Sequence, residues 1–118
     1  MPALNIEEQF RRSVLSGKKR CDIQPCRKDG RDPRAGQTLF LFTGRWARGR
    51  KSLGQHACRQ VRPIAIRANG RVLVGHKPMS AGSRLALFRM HGFDSPAEFF
   101  AFFETTHGLP FKGLLIEW

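Results

Sequence analysis

Acidic side chains are scarce in this chain. Nine Asp and Glu stand against 21 Lys and Arg in 118 residues, and no Glu occurs between Glu8 and Glu98. The acids of that interval are Asp22, Asp29, Asp32 and Asp94. Paired-carboxylate hydrolysis or two-metal catalysis would need two of them to converge. Asp29 and Asp32 sit among arginines and are expected to pair with them. Asp94 just precedes a helix start, where capping or the helix dipole accounts for it. Cysteine is sparse too, with Cys21, Cys26 and Cys58. Neither Cys21-x4-Cys26 nor His56-x-Cys58 has the short C-x2-C spacing of structural zinc. No metal is expected, and the thiols read as small apolar groups.

Other absences narrow the function further. No apolar run approaches ~20 residues, so no bilayer span is expected. The opening Asn5-Ile6-Glu7-Glu8 lacks the apolar stretch of a secretory signal, which points to the cytoplasm. There is no G-x-S-x-G elbow, Walker-A loop, H-E-x-x-H, or G-x-G-x-x-G after a strand, and no cofactor is implied.

What is present is apolar mass and positive charge. The 41% apolar fraction argues against wholesale disorder, and 118 residues suit one domain, taken as residues 1–118. Residues 1–71 hold seventeen basic and five acidic side chains, whereas residues 72–118 hold four of each. The whole net charge of +12 therefore sits on the first part of the chain. A balanced scaffold with one basic region is the electrostatic footprint of a polyanion binder, or else a solvated surface.

Periodicity predicts a helix over residues 5–16, with Asn5 capping, Glu8 in the capping box, and Ile6, Phe10 and Val14 four apart. Gly17 ends it, and residues 18–24 read as an extended edge segment before Pro25. Residues 27–36 are a loop by composition. Thr38-Leu39-Phe40-Leu41-Phe42 is a strand. Residues 43–55 read as a mobile or partner-ordered loop, and residues 57–68 as a strand bent or bulged at Pro63. Asn69-Gly70 is a hairpin turn with residues 71–74 returning. Helices follow over residues 83–90 and from Ser95 to just before Gly108, the latter with Pro96 in its first turn and Glu98 in a capping box. Residues 114–118 close the chain as a strand. The order predicts an α+β domain with a small, mostly antiparallel sheet or barrel and about three helices.

Two segments can carry chemistry. In Gly44-Arg45-Trp46-Ala47-Arg48-Gly49-Arg50-Lys51, the cations Arg45, Arg48, Arg50 and Lys51 can neutralise phosphates. Trp46 either stacks on a base or folds back on the core. In Lys18-Lys19-Arg20, crowding of like charge disfavours each ammonium, which makes Lys19 a candidate base or nucleophile; the nearby Asp22 acts the other way. A plain phosphate-binding cluster fits the same residues.

Taken in order, Phe10…Val14-Leu15-Ser16-Gly17-Lys18-Lys19, Gly36-x-x-Leu39-Phe40-Leu41-Phe42, His91-Gly92-Phe93 and Phe111-x-Gly113-x-x-Ile116-x-Trp118 resemble the ASCH family. The resemblance runs from about Phe10 to Trp118. It implies a PUA-like β-barrel flanked by helices, with a cleft suited to RNA. In some members it also implies RNA cleavage or amide hydrolysis of N4-acetylcytidine. Of the family signature G-x-K-x-x-T-x-R, Gly17 and Lys19 match, while Asp22 and Gln24 replace the Thr and the Arg. No central Glu exists to complete the amidohydrolase set. His91 stands where many relatives carry Asp; it either does acid/base work or sits exposed at a helix end, where a cation suits the dipole.

The expectation is an RNA-binding protein, RNA being the partner in single-stranded or structured form. Lys18, Arg20, Arg45, Arg48, Arg50 and Lys51 would hold phosphates, with Trp46 stacking. Lys19, Asp22 and His91 are the candidate catalytic residues of a ribonuclease. The alternatives are an amidohydrolase acting on a modified nucleoside and a module that docks on an acidic protein.

Overall fold

The computed structural model describes residues 2–44 and 49–118. Strand β3 (Thr38–Thr43) forms because its β-branched and aromatic residues alternate: Leu39, Leu41 and Thr43 are buried, while Thr38, Phe40 and Phe42 are half-buried. It is the middle of a three-stranded sheet. Strand β1 (Ala3–Ile6) pairs with it in parallel, and β4 (Lys51–Ala57) pairs antiparallel with a register shift between Leu41 and Phe42.

Two expectations are corrected here. The helix expected over residues 5–16 is reduced to a single 3-10 turn, Glu8–Phe10, and α1 (Arg11–Leu15). Asn5 lies in β1 instead of capping a helix. The Glu8 carboxylate is 2.8 Å from the Thr43 hydroxyl, which also lies 2.9 Å from the Ile6 carbonyl, so Glu8 serves β3 and not a capping box. Second, part of the expected loop over residues 43–55 is β4. Only Leu53 of that strand is buried, which hides its pattern.

The second sheet has the order β2 (Cys21–Gln24), β8 (Phe111–Glu117), β5 (Gln60–Ile66), β6 (Val72–Val74) and β7 (Lys77–Pro78), with every neighbour antiparallel. The Asn69-Gly70 turn links β5 to β6 as its sequence requires, with Gly70 at φ 88°. Pro63 makes no bulge: the β5–β8 register runs unbroken from Gln60 to Ile66. Its carbonyl accepts from Gly75 N at 2.9 Å, and the β6 ladder starts only at Ile64. The nitrogen that cannot donate therefore points away from β8. The fold is α+β with two mostly antiparallel sheets; closure of the two into a barrel is not part of the described ladders.

Helix α2 (Ala81–His91) starts at Ser80, whose side chain accepts from Ser83 N, and ends at Gly92 with φ 113°. A Cβ on Gly92 would meet the Phe10 ring at 3.1 Å, so backbone conformation and packing both call for glycine. Helix α3 (Pro96–Thr106) starts at Ser95, which accepts from Glu98 N. The Glu98 carboxylate accepts from Asp94 N at 3.2 Å, one residue earlier than a regular capping box. Among the described residues no helix is long and apolar enough to cross a membrane.

The buried residues form one contiguous core. Its aromatic end collects Phe10, Phe88, Phe93, Phe99 and Phe103, with Phe88 and Phe99 stacked at 4.2 Å. Gly113 of β8 is a second required glycine. A Cβ there would run into the Gln24 carbonyl and the Phe111 ring, so this position lets β2 pass close by.

Candidate functional site

The chain leaving α1 turns at Gly17, with φ 82°, and is pinned by its backbone. Lys19 N donates to Ser13 O at 2.8 Å, Arg20 N donates to Met90 O at 3.0 Å, and Trp118 N donates to Arg20 O at 3.0 Å. The β2 ladder begins only at Cys21, so Lys19 is not held to strand alternation and turns inward. Its ammonium donates to the His91 carbonyl at 2.7 Å, lies 3.3 Å from Asp22 Oδ1 and sits 4.6 Å from the Phe10 ring centroid. That carbonyl is at the C-terminus of α2, where the helix dipole favours a cation. Asp22 Oδ2 accepts from Gln24 Nε2 at 2.8 Å, and His91 Nε2 lies 3.4 Å from Asp22 Oδ1.

The three residues expected to be catalytic therefore converge. They do so inside the protein, with Lys19 0%, His91 1% and Asp22 8% exposed. His91 is not an exposed helix-end residue: its ring packs 5.1 Å from Phe93, 5.2 Å from Phe10 and 5.9 Å from Phe103. Neither of its nitrogens meets hydrogen-bond geometry with a partner.

Burial sets the electrostatics. The Lys19 pKa is lowered, first by burial and against the pull of Asp22. Lys18 and Arg20 are exposed and do not cause the shift, which corrects the expected crowding mechanism. Burial pushes Asp22 up, but the Lys19 ammonium, His91 and Gln24 outweigh it and hold the carboxyl at about 2. Burial and the Lys19 charge push His91 down to about 4 despite Asp22. The cluster is thus a buried Lys19–Asp22 ion pair beside an imidazole that is neutral at neutral pH. A carboxylate at about 2 is a weak general base. The observed arrangement ties α1, β2 and the end of α2 together.

Of the three, only Asp22 reaches an opening. A cleft of about 300 Å³ runs between β1 and β2, each the edge strand of its sheet, and is lined by Asn5, Glu7, Asp22, Gln24, Arg27 and His107 among others. Arg27 Nη2 donates to Ala3 O at 2.6 Å and bridges the two edges. Arg27 was not singled out from sequence, and Gln24 was noted only as standing in place of the signature Arg; the strand period, which puts Gln24 on the Asp22 side, is the signal that could have placed it in the site.

The expected phosphate-binding residues come from separate elements. Lys18 is exposed but forms an ion pair with Asp94 at 3.3 Å, so Asp94 serves Lys18 in place of capping α3. Arg20 and Lys51 are exposed. Arg50 lies over the Phe42 ring at 3.7 Å. Arg45, Trp46 and Arg48 lie outside the described residues. The expected Asp29 and Asp32 pairing with arginine side chains is also corrected: Asp29 accepts from Arg31 N at 2.9 Å and Asp32 from Arg27 N at 2.7 Å. Both acids stabilise the loop's backbone turns, leaving the side chains of Lys28, Arg31 and Arg34 exposed without a carboxylate partner among the described residues.

Comparison with known proteins finds no family, no curated protein and no solved structure that matches this chain.

Proposed function

We propose that this chain is a cytoplasmic RNA-binding protein of ASCH type that holds single-stranded or structured RNA through exposed cations. The observation that carries this reading is uncompensated surface charge. Arg20, Lys28, Arg31, Arg34 and Lys51 are exposed and make no ion pair among the described residues, while the nearby acids are spent on backbone N–H groups or inside the core. Arg45, Trp46 and Arg48 extend the same basic stretch of sequence. Phosphate neutralisation of this kind releases counterions, so affinity falls steeply with salt. Fluorescence anisotropy with a labelled single-stranded RNA across a salt series tests it. Removing Arg31, Arg34 and Lys51 together should flatten the log–log salt slope by about 2, at ~0.7 for each phosphate no longer neutralised. No binding by the parent at low salt would refute the reading.

A second reading, hydrolysis of RNA or of a modified nucleoside, is favoured by one observation. Lys19, Asp22 and His91 converge, and Asp22 lines the β1–β2 cleft. Only Asp22 meets a substrate there as the structure stands. Mass spectrometry of RNA and of N4-acetylcytidine after incubation, with Asp22→Asn as control, decides it. Turnover by the parent and not by the variant would make the cluster an active site.

A further inference from the structure

A cavity of about 480 Å³ opens on the face of the second sheet at β5, β6 and β8, lined by residues that neither reading above uses. Directly opposed residues of antiparallel strands share a face. Ala65 lies opposite Leu73 on β6 and opposite Lys112 on β8, and Pro63 lies one row further along the same face. Arg67, two residues beyond Ala65, falls on that face as well. Pro63, Ala65 and Leu73 make an apolar floor that the described residues leave partly uncovered. Arg67, His76 and Lys112, all exposed, stand around it. Among the described residues neither Arg67 nor Lys112 has a carboxylate partner.

His76 adds an independent observation. Val74 pairs with Lys77, so Gly75-His76 is a two-residue hairpin loop, with φ 60° and 66°. Such loops call for Gly or Asn, and His76 is the only non-glycine with positive φ among the described residues. A side chain held in a costly backbone conformation at the rim of a cavity points to a function for that side chain.

We infer that this cavity seats one nucleotide of the bound RNA, its phosphate among Arg67, His76 and Lys112 and its base on Pro63, Ala65 and Leu73. The inference rests on the RNA-binding reading and names a subsite for it. Three donors, from the end of β5, the β6–β7 turn and β8, match an anion, the apolar floor matches the flat face of a base, and the volume suits a small ligand. A bare phosphate would leave the floor uncovered.

Cys26 lines the same cavity and is exposed, whereas Cys21 and Cys58 are buried. Burial pushes the Cys21 thiol up to about 12, so alkylation of the native protein by iodoacetamide reports on Cys26. AMP should slow that alkylation, and ribose 5-phosphate should slow it less. Arg67→Ala and Lys112→Ala should each raise the AMP concentration needed by about tenfold. His76→Gly should leave the melting temperature at least as high while weakening AMP protection, an outcome a purely structural His76 would not produce. Unchanged alkylation with AMP in the millimolar range overturns the inference, as does equal protection by ribose 5-phosphate. Single-stranded RNA separates this inference from the reading beneath it. If Arg67→Ala with Lys112→Ala binds RNA as the parent does, the subsite is wrong and RNA binding stands. If AMP protects Cys26 and the parent binds no RNA, the RNA reading is wrong and the cavity is a site for free nucleotides.

Discussion

Two groups of basic and imidazole side chains in this molecule have opposite environments. Lys19 and His91 are buried, with Lys19 held by Asp22, a helix-end carbonyl and an aromatic face. Arg67, His76 and Lys112 are exposed around an open apolar floor, and neither Arg67 nor Lys112 has an acid to pair with among the described residues. Both groups contain the residue types of a catalytic or binding site. In the first the charge is already compensated within the chain, so the group contributes to the fold. In the second it is left for a ligand.

The largest effect should come from breaking the buried pair. Asp22→Ala leaves the Lys19 ammonium buried without its counter-ion, and should cost about 3–5 kcal/mol in a denaturant titration. Lys19→Met combined with Asp22→Leu should recover most of that loss, because an apolar pair of similar size needs no desolvation. By contrast, Lys112→Ala should move stability by no more than about 0.5 kcal/mol. A loss of several kcal/mol at Lys112, or none at Asp22, would erase the distinction. Gly113→Ala comes next, at about 1–3 kcal/mol of overpacking against Gln24 and Phe111, read in the same titration.

Acid should lower the stability over two pH ranges. His91 stays neutral in the fold down to about 4, against an ordinary 6.5, so between those values the unfolded chain binds the proton and stability falls as pH falls. Asp22 is held at about 2 against 3.8, so the stability it contributes is present above 3.8 and is lost as pH drops toward 2. His91→Gln, which does not titrate, should flatten the upper range in a pH series of melting temperatures.

Much of this architecture is legible in the sequence. Ser95-Pro96, Asn69-Gly70 and the alternation through β3 each state their structure locally, and each is found. The spacing of Ile6, Phe10 and Val14 identifies three buried residues but not the path between them. All three are at most 4% exposed, yet Ile6 belongs to a strand whose partner, β3, lies more than thirty residues away. A long-range pairing of that kind overrides helical periodicity and leaves no local signal. Lys19, Asp22 and His91 were each visible as residue types. Their burial was not, because it depends on Gly17, on the end of α2 and on the closing Trp118 meeting at one place. Arg67, His76 and Lys112 were missed for the same reason: the pairing of β5 with β6 and β8, and the β6–β7 turn, bring them together from three separate stretches of sequence.

The salt dependence of RNA binding tests the contrast between compensated and free charge most directly. Three proteins would be compared by anisotropy: the parent, the buried-pair replacement Lys19→Met with Asp22→Leu, and the surface variant Arg31→Ala, Arg34→Ala, Lys51→Ala. The account predicts that the first two bind with the same affinity and slope, and that the third loses about 2 from the slope. Parent-like binding by the surface variant, together with loss of binding or of RNA turnover in the buried-pair replacement, would contradict it and move the function to the Lys19 cluster.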